Sequence, residues 1–320
     1  MKTIKIMAAL LLLCVVVSCS KDDDDSGSAS TSAGVIDKKT GLRIKSCGNY
    51  NIYYNDDGRL NYIDDGYRKW MFSYKPDKIT EKGGDEGILN VGYNGSGYLS
   101  SVKFSDVDTE GRWNENESST LSYDGSGHLI NISGSGHEIG TENGKRYDES
   151  WTFSYTFTWR NNLLQQMVYI EKDVEDGETE TYTEKWIFSY DNDSYENVYR
   201  QWTPSLVEYL ENFEELLAVV GLLGVGPNML PSSADVTEEE YYDGKSHTYN
   251  NSYTFRYGFN SNGSISYTTA NGTRCNFSYD YAESDDRSSN LNKKIGPIPF
   301  VQEREPAKFS HHIFRKHRDK

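Results

Sequence analysis

Residues 151–159 read WTFSYTFTW, and the alternation in them is strict. Trp151, Phe153, Tyr155, Phe157 and Trp159 take one set of alternate positions; Thr152, Ser154, Thr156 and Thr158 take the other. Successive side chains of a strand point to opposite faces, so this segment is a strand with one aromatic and one hydroxyl face. The same period returns at 253–259, YTFRYGF. Aromatics make up 13% of the chain, with 25 Tyr, and apolar residues only 36%. Such a chain buries aromatic faces of strands rather than aliphatic helices, and the expected fold class is all-β.

The turns between strands are written in a repeated phrase. YNDDGRLNYI (54–63), YNGSGYLSSV (93–102) and YDGSGHLINI (123–132) share an aromatic, a Gly and a Leu two residues after it; FNSNGSISY (259–267) is a fourth copy with Ile. Asn and Asp before the glycine favour turns by bonding the nearby backbone. Gly58, Gly97, Gly127 and Gly263 are placed to supply the positive φ that closes a four- or five-residue hairpin loop. The acids and Arg59 vary between copies while the Tyr or Phe, the Gly and the Leu or Ile persist. The repeat therefore describes how a sheet folds back, not a ligand site. A second phrase, WMFSY, WTFSY, WIFSY and CNFSY, starting at 70, 151, 186 and 275, marks related strands. Together they predict a large antiparallel meander of roughly 14 to 16 strands, strongly curved or closed.

Three segments depart from this pattern. Residues 1–18 carry Lys2 and Lys5, an apolar run and Val-Ser before Cys19, which reads as a lipoprotein signal peptide with Cys19 as the lipid-modified residue. Residues 19–40 begin with that Cys and continue into an acidic, Ser-rich stretch fit for a flexible tether. The β domain is expected over 41–285 and an irregular basic tail over 286–320. Within the domain, 203–232 holds a helical insertion. Leu206, Tyr209, Leu210, Phe213, Leu216, Leu217, Val220 and Leu223 follow helical spacing near 204–223, with Thr203-Pro204 as its start. That insertion is expected to dock on the sheet or plug its mouth.

The lipobox, the run Lys21 to Asp25, the hairpin series and the late insertion resemble a family of uncharacterised Bacteroidetes surface lipoproteins. The turns are also similar to the YD repeats of large secreted bacterial proteins. The family is described only as a domain of unknown function with a porin-like β-fold. The resemblance implies a porin-like sheet and an outer-membrane, lipid-anchored location facing the cell exterior. It implies no catalytic residues. A membrane-spanning barrel is not expected, because a lipid anchor would be redundant and HHIFRKHRDK is no aromatic closing strand.

The chemistry in the sequence is sparse. No zinc helix, nucleophile elbow, phosphate loop or dinucleotide fingerprint occurs, so no catalytic residue, metal site or cofactor is expected. A net charge of −16 argues against a nucleic-acid partner. Cys47 and Cys275 lie near the first and last strands and form a candidate disulfide if those strands are neighbours; otherwise they are two separate thiols. His128 and His137 read as exposed loop residues. The aromatic stripe Trp151, Phe153, Tyr155, Phe157 and Trp159 is the candidate binding surface, as a sugar platform or as one side of a core. The expected partners are membrane lipid through Cys19 and a glycan or another envelope protein. The leading expectation is a non-catalytic ligand- or glycan-binding scaffold. A glycan-active envelope hydrolase and a structural outer-membrane component or acyl-chain binder stand as alternatives.

Overall fold

The structure, a computed structural model, describes residues 33–82, 88–107, 113–142, 145–175, 177–191, 195–207, 210, 217–242 and 244–281. Cys19, most of the tether and the basic tail lie outside the described residues. The first strands are short: β1 Val35–Asp37, β2 Leu42–Cys47, β3 Tyr50–Tyr54, β4 Leu60–Asp64, β5 Lys69–Tyr74, β6 Asp77–Lys82 and β7 Ile88–Tyr93. Longer ones follow: β8 Leu99–Val107, β9 Trp113–Tyr123, β10 Leu129–Glu142, β11 Lys145–Arg160, β12 Leu163–Glu175 and β13 Glu178–Ser189. The insertion holds β14 Tyr195–Glu196, helix α1 Pro204–Val207 and β15 Met229–Leu230. The chain then completes the sheet with β16 Ser233–Tyr242, β17 Lys245–Phe259, β18 Ile265–Ala270 and β19 Thr273–Tyr281.

Each strand from β2 pairs antiparallel with the next, β13 pairs with β16 across the insertion, and β19 returns to β2 with Phe277 opposite Cys47. Sixteen strands thus close into a barrel, as the hairpin count predicts. Closure removes the unpaired edges that a meander of this length would expose. The wall is uneven. Strands β2 to β7 have 5 or 6 residues, whereas β9 to β13, β16 and β17 have 10 to 16.

The turn repeat has a shared geometry. In each copy the glycine N–H donates to the Asn or Asp three residues earlier, which pairs in turn with the residue after the glycine: Asn55 with Arg59, Asn94 with Tyr98, Asp124 with His128, Asn260 with Ser264. Gly58, Gly97, Gly127 and Gly263 have φ between 80° and 84°. Only three residues lie between the paired ones, so these loops are shorter than the sequence suggests. They are type I turns closed by a left-handed glycine, and each is followed by a register shift in the ladder.

The recurring aromatic of the phrase also has a job. The hydroxyls of Tyr54, Tyr74, Tyr123, Tyr190 and Tyr279 donate to the carbonyls of Ile44, Leu60, Leu99, Leu164 and Ile265, each on the preceding strand, at 2.6–2.9 Å. Leu60, Leu99 and Ile265 open their return strands, and Leu164 and Ile44 lie one and two residues inside theirs. The tyrosine of the phrase therefore ties five of the strands to the strand before, each tie contributing about 1 kcal/mol net.

An eight-stranded barrel is filled by its own side chains, but sixteen strands leave a lumen too wide for that. Here the insertion fills it. Trp202, Leu206, Val207, Leu210, Val220, Leu222 and Leu223 are buried in one cluster with the inward residues of the wall. The expected long helix is present at 204–207 and again at 217–219, the residues between lying mostly outside the described ones. It ends in a Schellman turn: Leu222 N–H donates to Leu217 O and Gly221 N–H to Ala218 O, with Gly221 at φ 77°. The plug is sewn to the turn end of the barrel. Leu99 N–H donates to Leu222 O, Val225 N–H to Gly127 O, Asn228 N–H to Asn162 O, and Gly34 N–H to Val220 O.

The outer face is mainly polar along β9 to β11. Asn116, Ser118, Thr120, Ser133, Ser135, Thr152, Thr156 and Thr158 all face solvent. A lipid-spanning barrel carries an apolar band about 25 Å tall on that side. Along β9 to β11 that side is instead mostly Ser, Thr and Asn, while exposed Ile170 and Ile187 stand among polar neighbours on β12 and β13.

Candidate binding mouth

Away from the plug, the inward positions of the tall wall turn from apolar to acidic and aromatic. The residues come from strands whose alternation places them there: Glu117 on β9, Glu138 on β10, Trp151 on β11, Glu171 on β12, Tyr182 and Glu184 on β13, Glu238 and Glu240 on β16. Several carboxylates are held by an aromatic donor. Trp151 Nε1 donates to Glu117 Oε2 at 3.1 Å, Tyr147 Oη to Glu138 Oε1 at 2.6 Å, and Tyr169 Oη to Glu171 Oε2. Glu138, Glu171 and Glu184 are buried.

The rings lie flat because β10 makes room for them. A Cβ on Gly134, Gly136 or Gly140 would stand 2.4, 2.0 or 2.1 Å from the rings of Phe153, Trp151 and Tyr147 respectively. Their registers agree: Gly134 opposes Phe153, Gly136 opposes Trp151 and Gly140 opposes Tyr147. The glycines of SGSGHEIG thus have period two for a packing reason, a signal present in the sequence beside the aromatic strand but legible only once the two strands pair.

The electrostatics are one-sided. Glu184 stands directly opposite Glu238, and Tyr182 opposite Glu240. Like charges directly opposed destabilise a sheet. Burial first, then the charges of Glu184, Glu238, Glu240 and Glu171, holds the Tyr182 phenol far above its ordinary range. Burial also raises the Glu117 carboxyl, partly offset by the Trp151 bond. The nearby cations Arg146, Arg160, Lys172, Lys185 and Arg256 are exposed at positions of outward parity. No group of three metal-ligating side chains occurs among the described residues.

The predicted aromatic stripe divides. Tyr155 and Phe157 are buried in the core. Trp159 sits beneath the plug, 5.8 Å from Trp202 and stacked at 4.3 Å on His128, with its Nε1 donating to Leu129 O. Trp151 and Phe153 reach the mouth. His128 is a correction: it is 1% exposed, not a solvated loop residue, and its Nδ1 lies 2.9 Å from Asp124 Oδ2. The antiparallel pairing of β10 with β11 brings Trp159 over the turn that carries His128, a contact between strands that the turn phrase alone does not reveal. His137 is exposed as expected, beside Asp148 at 2.8 Å, but it stands within β10 rather than in a loop. Cys47 and Cys275 fall on neighbouring strands with their sulfurs 3.3 Å apart. The acidic side chains of the mouth escaped the sequence reading, because WNENESST alternates two polar types and does not say which faces inward.

No protein-family model and no curated protein sequence matches the chain. Among solved structures it is similar to a porin-like protein from Bacteroides uniformis, at 15% identity and a TM-score of 0.43, over 72% of this chain and 90% of that one.

Proposed function

We propose that the protein is a lipid-anchored, non-catalytic binder of the outer cell envelope, and that its tall-wall mouth takes a hydroxyl-rich ligand, a glycan. The observation that carries this reading is the pairing of inward carboxylates with aromatic donors, Glu117 with Trp151 and Glu138 with Tyr147. Carboxylates accept pairs of sugar hydroxyls, and flat rings cover the apolar faces of a pyranose. The plug occupies the apolar part of the lumen, which leaves the acid-aromatic end as the place for a polar ligand.

A glycan-array screen of the full chain with Cys19→Ala, which removes the lipid acceptor, tests this. Bound glycans are expected, with affinity falling at least tenfold in Trp151→Ala and Glu171→Gln and unchanged in Thr156→Ala on the outer face. Retention of no glycan, or equal binding by all three variants, overturns the reading. One observation favours a hydrolase instead: burial keeps Glu117 protonated to a higher pH than an ordinary Glu, as a general acid requires. Release of reducing ends from a bound glycan, abolished in Glu117→Gln, would decide for that alternative.

A further inference from the structure

The outer face of the short wall differs from that of the tall wall. Cross-strand neighbours Tyr53, Tyr62, Met71, Thr80 and Ile88 form one outward row across β3 to β7. Tyr53, Met71 and Ile88 are 42%, 39% and 44% exposed. Tyr53 and Tyr62 stack at 4.2 Å, so the row is a pre-formed apolar ridge rather than scattered side chains. The tall wall also exposes Ile170 and Ile187, but Ile170 stands between Ser154 and Thr183 and Ile187 between Gln166 and Asp235, so they do not extend into a cross-strand apolar row.

Lysines flank this ridge on both sides. Lys69 opposes Lys82 on one side, an unfavourable like-charge pair that Asp64 offsets at Lys69, with 3.4 Å between Asp64 Oδ2 and Lys69 Nζ. Lys78 and Lys103 both face Asn90 on the other side. An apolar, tyrosine-bearing ridge between rows of lysine is complementary to one kind of surface. Tyrosine and apolar side chains enter the headgroup–acyl boundary while lysines meet anionic headgroups.

We propose that the outward face of β3 to β8 rests on an anionic phospholipid bilayer. The position of the tether agrees with this. β1 pairs with β2, which pairs with β3, so the chain enters the fold at the short wall, with Gly34 packed against Tyr54. The stretch from Cys19 to Ala33 reaches at most about 50 Å when extended. This part of the argument rests on the lipid-anchor reading; the ridge and its lysines do not. β5 stands eight strands from β13 in the ring of sixteen, directly across the barrel. The acidic mouth therefore belongs to the wall farthest from the bilayer, and repulsion between its carboxylates and the headgroups is screened beyond about 10 Å in 0.1 M salt.

The test uses the full chain carrying Cys19→Ala, so that no acyl chain contributes, and vesicles of phosphatidylethanolamine with phosphatidylglycerol. The protein is expected to co-sediment with these vesicles at low salt, to be released as salt rises, and not to bind pure phosphatidylcholine. Lys82→Glu with Lys103→Glu should lower the partition coefficient at least tenfold, at about fivefold per lysine lost. Met71→Ser with Ile88→Ser should lower it too, without moving the unfolding midpoint, because both side chains already face solvent. Absence of binding to the anionic vesicles, indifference to the lysine changes, or self-association through the ridge into dimers in place of vesicle binding would each overturn the proposal. Acylation of Cys19 in the parent, read by mass spectrometry, stands or falls separately.

Discussion

Gly58 and Gly127 hold nearly the same backbone conformation, φ 80° and 83°, but their surroundings differ. Nothing lies within 4 Å of a Cβ built on Gly58, so Gly58→Ala meets only left-handed strain, about 1 kcal/mol. A Cβ on Gly127 comes 3.1 Å from Val225 Cγ2 and 3.3 Å from the Tyr98 ring, where the turn bonds the plug. Gly127→Ala should therefore lower the urea midpoint more than Gly58→Ala; equal shifts would mean that the plug rim yields without cost. Glu117 makes a second claim at this scale. Burial holds its carboxyl above the ordinary 4.5, so the folded chain binds that proton more tightly than the unfolded chain. The resulting stabilisation is complete below pH 4.5 and is lost as pH rises through the folded-state value. Glu117→Gln should flatten that decline and leave the variant more stable than the parent at neutral pH. A pH series of urea midpoints reads it, and parallel profiles for the two proteins would refute it.

The element that decides closure is the seam between β2 and β19, where the chain's first and last barrel strands meet. Cys47 and Cys275 bridge it with their sulfurs in contact. In a chain exported to an oxidising compartment they are expected to join, two protons and two electrons passing to a disulfide oxidant, and so to bind the ends of the meander together. Closing so long a loop is worth about 2–5 kcal/mol. Non-reducing peptide mapping of exported protein should recover the Cys47–Cys275 pair; two alkylatable thiols would end the idea. At this scale the sequence is most and least informative by turns. The hairpins are legible because their chemistry spans five residues, from Asn94 to Tyr98 for instance. The Tyr ties are written in the repeat too, since Tyr74 and Leu60 belong to successive copies. The place of the insertion is not legible: Leu222 and Val225 bond Leu99 and Gly127, residues distant in the chain that only closure of the ring assembles. The mouth is half legible, its aromatics plain from alternation and its carboxylates hidden in strands that are polar on both faces.

The whole molecule separates its chemistry around the ring. An apolar, lysine-flanked ridge marks the short wall, a plug seals the turn end, and carboxylates with aromatic rings line the tall wall. That arrangement gives membrane attachment two independent contributions of different strength. Several acyl chains on Cys19 would anchor the protein stably, whereas a surface ridge with a few lysines gives reversible, salt-sensitive attachment. Cys19→Ala should therefore shift the protein from the membrane pellet to the soluble fraction after a high-salt wash, while leaving part of it pelletable at low salt. The parent should stay in the pellet under both conditions. If the Cys19→Ala protein still pellets after the salt wash, neither a lipid on Cys19 nor electrostatic docking accounts for its location. The polar outer face of the tall wall would then need a protein partner on the membrane to cover it.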